Sequence, residues 1–215
     1  MLRNFIIIIL SSFLLLTNVN AEKITVFDFT DEEFSTLKVG KKYKGETTWT
    51  LDKNEKGNFI KAEADGKGSG LGKEVFIDLS KTPFINITWK VEKDLSGIIE
   101  NSKKGHDYAA RVFVIKKTGS TALSNRAINY VFSSNNKVGK NWPSTYTKKS
   151  IDYVLSTTQE NLDKWVTVKA NVKEDFMKRH GINVEDISGV AIMTDTDNSK
   201  LKAISYYQDI YFSAE

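Results

Sequence analysis

Two short stretches carry side chains that could do chemistry. The first is Gly105-His106-Asp107-Tyr108-Ala109-Ala110-Arg111. In extended backbone the side chains alternate between faces, so Asp107 and Arg111 share a face with Cα atoms about 13 Å apart. That spacing argues against a direct pair. Ala109, Phe113 and Ile115 fall on the same face, which makes Arg111 a charge on a largely apolar surface. Such a charge needs a partner, either a structural carboxylate or a ligand. The second stretch is Thr194-Asp195-Thr196-Asp197-Asn198-Ser199. Its two carboxylates and one amide could contact a ligand or calcium, which takes oxygen donors, or they could simply make a turn. The helical calcium loop is excluded, because Lys200 and Tyr206 stand where it needs Gly and Glu.

Other chemistries find little support. The chain has no cysteine, which removes a disulfide scaffold, a thiolate zinc site and a Cys nucleophile. It has only two histidines, His106 and His180, with no metal-ligand or triad spacing. Asp65-Gly66-Lys67-Gly68-Ser69-Gly70-Leu71-Gly72-Lys73 fits neither a phosphate loop nor a serine elbow, and it predicts a flexible loop between strands. Net charge is +4, and of 31 basic residues only Arg3, Arg111, Arg126 and Arg179 are arginine. Scattered lysines suit a solvated surface better than nucleic-acid readout, so no nucleic-acid partner is expected. The densest basic patch is Lys137, Lys140, Lys148 and Lys149, around Trp142 and Tyr146. Basic and aromatic groups together could bind a polymer. Trp165 lies on the polar side of a strand pattern, where it could stack on a sugar ring or pack under a loop.

These side chains must be held by strands. Ile85-Asn86-Ile87-Thr88-Trp89-Lys90-Val91 alternates with period two. Val75, Ile77 and Leu79 alternate likewise, as do Val166, Val168, Ala170 and Val172. Further strands are expected over residues 23–29, 47–51, 58–64, 108–116, 127–133, 150–156, 189–194 and 203–212, with turn-forming residues between them. One short helix is expected near 172–180. Asn171 and Glu174 have capping-box form, basic residues close the last turn, and Gly181 stops it. Many strands and one helix predict an all-β fold, an antiparallel two-sheet jelly-roll sandwich.

Residues 1–21 read as a signal peptide: Arg3, a mostly apolar run from Phe5 to Leu16, and Val19-Asn20-Ala21 as the cleavage site. The run is shorter than the ~20 residues of a spanning helix. The expectation is therefore an exported chain, periplasmic if the source has two membranes. Residues 22–215 would form one β-sandwich domain, monomeric and with no membrane span after cleavage.

From Trp89 to Phe212 the chain resembles a bacterial family, the domain of unknown function 3047 family. The resemblance rests on Trp89-Lys-Val, Asp107-Tyr-Ala-Ala-Arg111-Val-Phe-Val, Ala127-Ile-Asn129-Tyr130-Val, Val138-Gly139, Asp175-Phe176, Gly189-Val-Ala-Ile-Met-Thr-Asp195-Thr-Asp197-Asn198 and Asp209-Ile-Tyr-Phe212. It departs from the family pattern at His106, Phe132 and Ser199. The resemblance implies an exported sandwich similar to galactose-binding-like jelly rolls, with no established activity. It implies that Asp107, Arg111, Asn129, Tyr130, Asp195, Asp197 and Asn198 gather at one site; Trp142 of the basic and aromatic loop and Trp165 of the polar strand face are the further candidate ligand-binding residues. By analogy with such jelly rolls, Asp209 on the last strand and Asp28 on the first could hold a structural calcium. No other cofactor is expected. The function expected is non-catalytic binding of a saccharide or cell-envelope glycan. The alternatives are an envelope hydrolase using carboxylates among Asp107, Asp195 and Asp197, with His106 as a further candidate, or a structural envelope protein with no small ligand.

Overall fold

The computed structural model describes residues 22–215 apart from 41, 43, 122 and 123. The signal-peptide reading of residues 1–21 lies outside the described residues. The period-two segments become two sheets. One holds β1 (Lys23–Phe27), β3 (Thr48–Asn54), β4 (Gly57–Asp65), β6 (Phe84–Lys93), β11 (Val166–Asn171) and β13 (Lys202–Ser213). Its order is β11-β6-β13-β4-β3, with β1 pairing the C-terminal half of β13. The other holds β2 (Lys38–Val39), β5 (Gly68–Asp78), β7 (Ala110–Lys116), β8 (Arg126–Ser133), β9 (Asn141–Ser144), β10 (Thr147–Thr157) and β12 (Asp186–Asp195), in the order β2-β5-β12-β7-β8-β10-β9.

The sheets pack face to face, each burying one side of its pleat. Ile85, Ile87, Trp89 and Val91 of β6 meet Val112 and Val114 of β7 and Ile128, Tyr130 and Phe132 of β8 in one core. Polar atoms inside are matched across it. Trp89 donates to Ser156 Oγ at 3.0 Å, and Tyr207 donates to the Met193 carbonyl at 2.6 Å while accepting from the Arg111 amide. The pleat sends Arg111, Phe113, Asn129, Met193 and Asp195 to the outer face of the seven-stranded sheet.

Helix α3 (Val172–His180) forms as expected, with Asn171 Oδ1 accepting from the Glu174 amide and Gly181 closing it at φ +68°. Two shorter helices, α1 (Asp31–Thr36) and α2 (Thr158–Asn161), join it. Two details differ from the sequence reading. The strands are antiparallel except for β8 and β10, which are parallel, because the chain leaves β8, builds edge strand β9 and returns between them. The glycine-rich run is not a loop, since Gly68, Gly70 and Gly72 lie inside β5. A Cβ at Gly68 would stand 2.5 Å from Asp195 Cβ, and one at Gly72 would stand 2.8 Å from Ala191 Cβ. The glycines let β5 approach β12 closely and leave the outer face bare of side chains there.

Candidate functional site

A cavity of about 440 Å³ lies on the outer face of the seven-stranded sheet. Strand β7 supplies Arg111 and Phe113, β8 supplies Asn129, and β12 supplies Met193 and Asp195. The turn from β9 to β10 covers one side with Ser144, Tyr146 and Thr147. Phe113 is half-buried and Tyr146 is exposed.

Arg111 is buried, and its Nη2 donates to Asp195 Oδ2 at 2.7 Å. Its guanidinium sits between the Tyr108 and Phe113 rings, 4.8 and 5.0 Å from their centroids. The carboxylate partner is therefore Asp195, brought in from the neighbouring strand. Asp107, on Arg111's own segment, is not the partner. Burial opposes the Arg111 charge, but the carboxylates of Asp195 and Asp152 outweigh it and raise its pKa. Burial pushes Asp195 up to about 6, against the pull of Arg111 and with a further push from Asp107. Arg111 Nε is buried and has no hydrogen-bond partner among the described residues.

Asp107, Asp195 and Asp197 offer oxygens within 4.8 Å of one another, and all three residues are buried. Each is already engaged. Asp107 accepts from the Asn198 and Ser199 amides and from Asn198 Nδ2, which ties the β12–β13 turn to the segment entering β7. Asp195 Oδ1 accepts from the Tyr108 amide at 3.2 Å. Lys44 Nζ stands 4.0 Å from Asp197 Oδ2, and Lys44 and Lys200 both donate to the Asp197 carbonyl. Arg111, Lys44 and Lys200 thus put three cations beside three carboxylates, a poor setting for a metal ion.

A second cluster adjoins the first. His106 Nε2 is 2.9 Å from Asp152 Oδ2, and Asn129 Nδ2 donates to Asp152 Oδ1 at 2.7 Å. Ser144 Oγ is 3.3 Å from the same His106 Nε2. A serine triad uses the two different nitrogens of its histidine, so these three residues form no triad. Sequence reasoning missed Asp152, although an aspartate in mid-strand is itself a signal, because aspartate is depleted in strands.

The model of the family described as "Protein of unknown function (DUF3047)" matches residues 33–211. The chain belongs to this family. No curated protein matches the DUF3047 chain in sequence. Its fold is similar to the family 30 carbohydrate-binding module of a cellulosomal cellulase of Clostridium thermocellum, with a TM-score of 0.53, 9% identity, and coverage of 90% of this chain and 98% of that one. A family 11 carbohydrate-binding module from Clostridium thermocellum, solved with a β-1,3-1,4-mixed-linked tetrasaccharide, matches at a TM-score of 0.47 and 12% identity, covering 88% and 94%. The fold shared with the family 30 module is the two-sheet jelly-roll sandwich.

In this DUF3047 protein Asp107, Arg111, Asn129, Asp195, Asp197 and Asn198 come together, and three other candidates do not join them. Tyr130 follows Asn129 in β8, so its side chain points into the core, where it donates to Asp175 Oδ2 at 2.8 Å. Trp142 does not line the cavity; it packs on Val131 and Val154 and donates to the Tyr108 hydroxyl at 3.2 Å. Trp165 lies on the other sheet, edge-on to Phe59 and Tyr206. The aromatic rings at the cavity are Phe113 and Tyr146. Asp28 and Asp209 flank the paired residues Phe27 and Ile210 of β1 and β13, and both are exposed. Asp28 Oδ1 already accepts from the Thr30 amide, Glu33 Oε2 accepts from the Asp28 amide, and among the described residues no three acids or histidines there come close enough to share one ion. Calcium takes six to eight oxygens, so an ion here would need backbone carbonyls and water to complete its shell.

Proposed function

We propose that this protein is an exported, monomeric, non-catalytic saccharide-binding sandwich whose site is the cavity over Arg111 and Phe113. The observation that carries the reading is the cavity floor. The half-buried Phe113 ring lies beside a buried arginine whose Nε–H has no hydrogen-bond partner among the described residues. A pyranose presents an apolar C–H face to such a ring and hydroxyls to such a donor. The fold shared with the family 30 module supports the same reading.

One observation favours hydrolysis instead: a carboxyl raised to about 6, Asp195, could act as an acid. Its two oxygens are held by Arg111 and by the Tyr108 amide. Asp107 and Asp197 are likewise engaged, by the Asn198 and Ser199 amides and by Lys44. A glycan-binding screen with product analysis of every hit tests both readings. Binding without products, lost in Phe113→Ala while the fold is kept, supports the binder. Turnover of a bound glycan contradicts it.

A further inference from the structure

We infer that the ligand of this site is an uncharged linear polysaccharide lying along β7 and β12, occupying a second cavity as well as the first. The inference rests on the saccharide reading above and adds the ligand's charge and length. The second cavity, about 510 Å³, lies on the same outer face, with Gly72, Ile115, Gly189 and Ala191 at its floor. The two cavities adjoin. Ala191 of the second pairs directly across the ladder with Phe113 of the first, and Gly189 pairs with Ile115. From Gly189 to Asp195 the strand runs roughly 20 Å, room for several sugar rings end to end. Gly72 keeps this end open, since a side chain there would meet Ala191.

Charge sets the ligand class. Every charged side chain lining either cavity is already paired within the protein. His106 is paired with Asp152, Arg111 with Asp195, and Asp197 with Lys44. In the second cavity Lys73 is paired with Glu33 and Lys117 with Glu74. A uronate, phosphate or amino sugar would bring a charge with no free counter-charge among the lining side chains, and an unpaired charge is costly to desolvate. What each cavity leaves unmet is a hydrogen bond rather than a charge: the Nε–H of Arg111, whose charge Asp195 already balances, in the first and the Asn125 Oδ1 acceptor in the second. A sugar hydroxyl donates and accepts, so a single neutral chain can satisfy both.

The test is titration calorimetry of the protein with linear glucan, mannan and xylan oligosaccharides from disaccharide to hexasaccharide, beside galacturonan and chitosan oligosaccharides of the same lengths. The expected result is binding of a neutral series, tightening about tenfold or more from disaccharide to hexasaccharide. Asn125→Ala should weaken the hexasaccharide about fivefold, the worth of one neutral hydrogen bond, and leave the disaccharide unchanged. Preference for a charged series, equal affinity at all lengths, or an unchanged hexasaccharide affinity in Asn125→Ala would overturn this inference alone. Binding of neither kind would overturn the saccharide reading with it.

Discussion

Arg111 and Asp195 form an ion pair with both side chains 4% exposed. Removing one partner leaves the other charge buried, so Arg111→Ala should lower unfolding free energy by about 3–5 kcal/mol in a denaturant titration. Asp195 adds a pH signature. Its carboxyl is raised from 3.8 to about 6, chiefly by burial, so the folded state holds the proton more tightly than the unfolded chain. This contribution is complete below about 3.8 and is lost as pH rises through about 6. Thermal midpoints across that window should fall more steeply with pH in the wild type than in Asp195→Asn. At this scale the need of Arg111 for a partner was legible from its apolar strand face. Which carboxylate it would find was not, because Asp195 arrives from a strand more than eighty residues away. The ring that floors the cavity, Phe113, read as one more apolar residue on that face, and Tyr130 read as a site residue although the pleat turns it away from Asn129.

The elements follow from alternation and capping, and these are local. Strand β6 and helix α3 were legible because Ile85–Val91 and Asn171–Gly181 carry their own period and stop signals. Pairing is not local. Nothing in residues 126–157 announces that β10 returns between β8 and β9 to run parallel to β8. The glycine run was misread for a related reason. Glycine normally marks a loop, and only the close approach of β12 shows why β5 needs it. Gly68→Ala should therefore destabilise by about 1–3 kcal/mol through overpacking against Asp195, measured by the denaturant midpoint. A neutral effect would mean that the two strands can separate at no cost.

The whole molecule presents two outer sheet faces with different furniture. One carries the two cavities over β7 and β12, and the other carries the Phe59, Trp165 and Tyr206 rings, which pack on one another. First and last strands, β1 and β13, are paired, and the carboxylates of Asp28 and Asp209 are exposed. The thermal midpoint is accordingly expected to be the same with calcium and with chelator, whereas a bound ion at ~100 times its dissociation constant would add about 2.7 kcal/mol. The most direct measurement for the proposed site is an amide chemical-shift titration with a neutral oligosaccharide that binds. Shifts gathered at Arg111, Phe113, Asn129, Ala191 and Met193 are the result the proposal predicts. Shifts gathered instead at Phe59, Trp165 and Tyr206, with the β7 and β12 amides unmoved, would contradict it.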